Sequence, residues 1–90
     1  MPYIKKELRD KIDHEIDNLI TSTLDIGEND IDGVYNYIIT RLIDTRYRNG
    51  YRSFNRAMGV LDCVAREFYR RQVAPYEDKK RDENGEVYTL

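Results

Sequence analysis

The residues best suited to chemistry lie in one short stretch, RYRNGYRSFNR, residues 46 to 56, which sets four arginines, two tyrosines and a phenylalanine around Asn49-Gly50. A guanidinium is a planar fork that matches carboxylate or phosphate, and its face stacks on aromatic rings. Arg46, Arg48, Arg52 and Arg56 with Tyr47 and Tyr51 thus form a kit for clasping a phosphate and stacking a base. The same kit anchors protein interfaces. A third reading places Ser53, Phe54, Asn55 and Arg56 at the leading end of a DNA-recognition helix. Against it, Phe54 fits the apolar side of its helix.

A second constellation follows directly. On a helical wheel begun at Phe54, Arg56, Gly59, Cys63, Arg66, Glu67 and Arg70 gather opposite the apolar side. A glycine inside a helix costs about 1 kcal/mol relative to alanine. Gly59 and Cys63, four residues apart, would let another backbone or a flat ligand approach, with Arg66 and Arg70 as donors beside them. The plainer reading is a solvated face that happens to carry two small residues.

Other chemistry falls away on inspection. Glu28-Asn29-Asp30-Ile31-Asp32-Gly33 resembles the start of a calcium loop, but the twelfth position is Ile39 where a bidentate glutamate is required. His14, the one histidine, sits opposite the apolar stripe beside Asp10 and Asp17, a poor metal site on a single helix face. No base accompanies Cys63, no triad can be assembled and no glycine-rich phosphate loop is present. The expectation is a protein without enzymatic activity, cofactor or metal.

The elements that must position these residues are helices. Leu8, Ile12, Ile16, Leu19, Ile20 and Thr23 recur at three- and four-residue steps and predict a helix over about 5–25. Gly27 is expected to end it in a left-handed conformation. Asp30 or Asp32 would cap a second helix over about 31–48, whose wide apolar stripe (Ile31, Val34, Tyr35, Ile38, Ile39, Leu42, Ile43) calls for two neighbours. Asn49-Gly50 breaks the pattern, and Ser53 would cap a third helix over about 54–73, stopped by Ala74-Pro75. Its expected core face is Phe54, Ala57, Met58, Leu61, Val64, Ala65 and Phe68. The resulting fold class is all-α: a three-helix bundle over residues 1–74, with a short N-terminal arm and an extended, charged C-terminal tail over 75–90.

Ninety residues allow one domain with a small core, so burial supplied by a partner is plausible at the outset. The net charge of −2 argues against an extended nucleic acid or a membrane surface as partner. No apolar run reaches membrane length and no signal-peptide core is present, so a cytoplasmic location is expected. One cysteine fits a reducing compartment. The total hides a segregation. Residues 1–32 hold four basic and nine acidic groups, a net of −5, whereas 33–74 hold eight arginines and three acids, a net of +5. Such polarity implies either pairing between helices of one chain or head-to-tail attraction between copies in a homo-oligomer.

Several stretches carry a family likeness: MPYI at the start, Asn36-Tyr37, FNRAMGVLDC over 54–63, EFYRRQVAPYEDKK over 67–80 and NGEVY over 84–88. Together they resemble a small uncharacterised family of phage and prokaryotic proteins that begin MPYI and end in a PYEDKK…NG-V-Y tail. The resemblance implies a shared fold, a phage or mobile-element context (hence a host cytoplasm) and an ordered tail, but no reaction. The leading expectation is a binding protein that captures a phosphate-bearing small ligand, such as a nucleotide-derived signal, between its own copies, in the context of countering host defence. The alternative is an interaction module that docks on an acidic surface of a host protein through the helix-three face.

Overall fold

The computed structural model describes residues 1–89, and among them the chain is all-α without a strand. Three helical runs are present: α1 over Lys6–Thr23, α2 over Glu28–Arg46, and a third that begins as α3 over Tyr51–Phe68. The third run continues through a π-helical turn, Tyr69–Val73, into α4 over Ala74–Asn84. The three-helix, all-α class expected from periodicity therefore holds.

A short arm precedes α1. Ile4 N–H donates to the Pro2 carbonyl at 2.9 Å, and Arg9 Nε donates to the Ile4 carbonyl at 3.0 Å, tying the arm to the first turn. Helix α1 closes on Thr23, whose hydroxyl donates to the Ile20 carbonyl at 2.8 Å. Gly27 does not take the expected left-handed form. It is extended, with φ −74° and ψ 165°, and starts α2, its carbonyl accepting from Asp30 and Ile31 at 3.0 Å. Helix α2 thus begins at Glu28 instead of 31, and Asp30 and Asp32 lie inside it instead of capping it. Glu28 and Asp30 act from the first turn, where carboxylates offset the positive end of the helix dipole.

The reversal at Asn49-Gly50 occurs as expected, with φ +46° and +101°, a conformation that Asn and Gly adopt at least cost. Helix α3 starts at Tyr51, three residues before the expected 54, because the Gly50 carbonyl already accepts from Phe54 N–H at 3.1 Å. Ser53 therefore lies within the first turn and is not a cap.

Pro75 does not stop the third run. Ala74 keeps helical angles, φ −60° and ψ −47°, and its N–H reaches back five residues to the Tyr69 carbonyl. A turn widened to five-residue bonds accommodates a ring that would clash in a regular helix, and it absorbs the missing donor. The expected boundary at 74/75 is accordingly absent. The arm reduces to residues from Gly85 onward, where φ of +97° ends α4, and the Glu86 carboxylate accepts from Val87 and Tyr88 N–H at 3.0 and 2.8 Å. Leu90, the last residue of the expected arm, lies outside the described residues.

The chain divides into two compact units, Pro2–Ala57 and the chain from Met58 onward together with Met1, so the division falls within α3. In the first unit Ala57, 6 % exposed, and Thr23 are buried. In the same unit Ile26, Ile31, Val34, Ile38, Ile43 and Tyr47 are half-buried. The α3 core face expected from the sequence is otherwise uncovered: Phe54, Met58, Val64 and Phe68 are each more than half exposed. Amphipathic spacing marks a face able to be buried, not what buries it.

Candidate functional site

Of the ten residues singled out by sequence, Arg46, Tyr47, Arg48, Tyr51, Arg52 and Arg56 belong to the first unit. Gly59, Cys63, Arg66 and Arg70 belong to the second.

In the first unit the end of α2 and the start of α3 hold the arginine–tyrosine corner. Tyr47 leaves the helix with φ −115° and ψ 79°, its N–H still bonded to the Ile43 carbonyl at 2.9 Å. Its ring takes the Arg56 guanidinium at 5.6 Å from the centroid, a cation–π contact that occupies one of the four arginines. Arg48 is occupied too: Nε donates to the Asp44 carbonyl at 3.0 Å and Nη2 to the Asp44 carboxylate at 3.2 Å. Arg46 and Arg52 have no ion-pair partner among the described residues. Tyr51, 80 % exposed, offers an open ring beside them. The corner thus keeps two free guanidinium groups and one free phenol, fewer than the sequence suggested, because Arg48 reaches Asp44 four residues back on its helix and Arg56 stacks on Tyr47 across the turn.

In the second unit, a side chain at Gly59 would meet nothing within 4 Å among the described residues, so the space expected to admit another backbone or a flat ligand is open. Cys63 is a free, exposed thiol. Arg66 Nε donates to Asp62 Oδ2 at 2.7 Å, and that bond and charge push the guanidinium pKa further above its ordinary value. Arg70 Nη2 donates to both carboxylate oxygens of Glu67, at 2.9 and 3.2 Å. These two arginines, expected to be open donors, are paired along their own helix. Such exposed pairs are weak and exchange readily for a better acceptor.

Spacing alone did not single out a groove within the first unit. It has a volume of about 550 Å³ and is lined by Leu19 of α1 and by Tyr37, Ile38, Arg41, Leu42, Thr45 and Arg46 of α2. The Arg41 guanidinium lies 5.8 Å from the Tyr37 ring centroid, and the Thr45 hydroxyl is turned back to the Arg41 carbonyl at 2.8 Å. The available signal was the repeat of adjacent pairs four residues apart, 37/38, 41/42 and 45/46, which makes a continuous ridge on a helix. Arg46 alone of the expected site residues belongs to it.

Among the described residues of the first unit the segregated charges do not pair. Eight ion pairs join neighbours in sequence: Lys6–Asp10, Arg48–Asp44, Arg66–Asp62, Arg70–Glu67, Lys80–Glu83, and Arg81 with Asp78, Asp82 and Glu86. None links an acid of α1 to an arginine of α2 or α3. Among the described residues no three His, Cys, Asp or Glu side chains are placed to hold a metal, and no helix is long and apolar enough to cross a membrane.

These features define a small all-α chain with uncovered apolar helix faces and an arginine–tyrosine corner. The chain belongs to the family described as Domain of unknown function (DUF6899), which matches residues 1–87. No curated protein and no solved structure gave a match.

Proposed function

We propose that the chain is a non-enzymatic binding protein, of phage or mobile-element type, whose helices complete their apolar faces against another protein chain. The observation that carries this reading is the stripe of α1: Leu8, Ile12, Ile16, Leu19 and Ile20 are each 42–53 % exposed. Burying a leucine or isoleucine fully is worth about 1.5–3 kcal/mol, so each half-covered residue leaves roughly 1 kcal/mol unrealised. A partner that covered the stripe would recover that burial. The test is native mass spectrometry of protein purified from its host, beside an Ile16→Asp variant. The wild type is expected as a stable complex, with itself or with another protein, and the variant as a bare chain of unchanged helicity. A wild type that is bare and unfolds cooperatively at all concentrations overturns the reading.

The free guanidinium groups of Arg46 and Arg52 beside Tyr51 favour a second reading, capture of a phosphate-bearing small ligand such as a nucleotide-derived signal at an interface between copies. A retained small anion in the same spectra supports it. A thermal shift with nucleotides that Arg52→Ala abolishes would assign the anion to the corner. The phage context makes interference with host defence a fitting setting for either reading.

A further inference from the structure

We propose that the groove between α1 and α2 receives α1 of a second copy of this chain, the two copies binding reciprocally about a two-fold axis. The proposal rests on the reading that protein covers the exposed faces, and it names that protein.

Two surfaces of the first unit are complementary. The groove is apolar along Leu19, Ile38 and Leu42 and carries Arg41 and Arg46. The stripe of α1 is apolar, and the helical period puts Asp13 on one edge of it and Glu15 on the other. Neither acid has an ion-pair partner among the described residues, and neither arginine has one. The net charges of −5 over residues 1–32 and +5 over 33–74 therefore remain available to another molecule.

A second copy supplies what the groove lacks and needs what the groove offers. Its α1 brings apolar side chains to Ile38 and Leu42 and carboxylates to Arg41 and Arg46. Two-fold symmetry makes each contact twice, so one arrangement covers both stripes and both grooves. The product is a layer of four helices, α1 and α2 from each chain, the arrangement by which amphipathic helices bury their faces. A small anion would meet the arginines but leave the α1 stripe and its acids uncovered.

A charge exchange tests this, because Asp13, Glu15, Arg41 and Arg46 are all exposed and their replacement spares the existing core. One variant carries Arg41→Glu and Arg46→Glu; the other carries Asp13→Arg and Glu15→Arg. Circular dichroism checks that each stays helical, and sedimentation reads the mass. The wild type is expected as a two-copy species that weakens as salt rises, since ions screen charges more than about 10 Å apart at 0.1 M. Each variant alone is expected to associate at least about tenfold more weakly, like charges now facing each other. Mixed in equal amounts they should regain the two-copy mass, because acidic stripe meets basic groove and basic stripe meets acidic groove. Variants that associate like the wild type, or a mixture that stays monomeric, overturn the proposal while leaving the broader reading in place. A wild type that is monomeric alone but complexed to a different protein in its host does the same. A wild type that is bare in both settings removes both.

Discussion

The two units of the chain use the same materials differently. From Met58 to Asn84, charges alternate along the helix and pair locally, as in Arg66–Asp62, Arg70–Glu67 and Lys80–Glu83, and no residue there is buried. In Pro2–Ala57, acids collect on α1, at Asp25 and in the first turns of α2, arginines collect after residue 40, and only Lys6–Asp10 and Arg48–Asp44 pair. That unit also holds the two buried residues, Ala57 and Thr23. Local pairing supports a helix from within its own sequence, whereas segregated charge sets up a field that an oppositely charged surface can meet. The first unit thus carries the charge left unpaired within the chain's own helices, and the second carries most of the local pairs.

The sharpest way to break this contrast is to put the same charge into both regions. Ala57→Asp buries a carboxylate and is expected to cost about 2–3 kcal/mol or more, melting the first unit in urea. Ala65→Asp, on an exposed stretch of the same helix, should cost no more than about 0.7 kcal/mol, the propensity difference alone. Equal costs would mean that the two regions share one core.

A smaller effect is expected at Gly59. Gly59→Ala should raise helix stability by about 1 kcal/mol, seen as a higher melting temperature, since the space beside it is open within the chain. A lowered melting temperature together with a lost assembly would reveal a partner backbone at that position. The smallest effect belongs to the second region's ion pairs: Lys80→Gln removes the 3.2 Å contact with Glu83 and should change stability by no more than about 0.5 kcal/mol. A loss of assembly on this substitution would show that the second region's charges also serve recognition.

The helices were legible because apolar residues at three- and four-residue steps have few other uses. Their ends were less so. Gly27 starts α2 instead of ending α1, and Asp30 and Ser53 lie inside their helices instead of capping them, because several nearby residues are competent for each boundary. Pro75 has the residue type of a stop, yet the π turn at Tyr69–Val73 carries the helix past it. A π turn has no compositional signature. At the candidate site, the stacking of Arg56 on Tyr47 was foreshadowed by their types. The occupation of Arg48, Arg66 and Arg70 by carboxylates three or four residues away is readable from the same helical spacing.

By itself, the sequence determined the all-α class, the reversal at Asn49-Gly50 and the segregation of charge. Each follows from local periodicity, from the φ > 0 tolerance of two residue types or from counting. Only the tertiary structure decided which apolar faces are covered, that in the first unit the α1 acids and the arginines do not pair, and that a groove edged by Arg41 and Arg46 lies open. Those outcomes depend on which surfaces come within contact distance. An amphipathic pattern requires that a face be buried, but it leaves the burying surface unnamed.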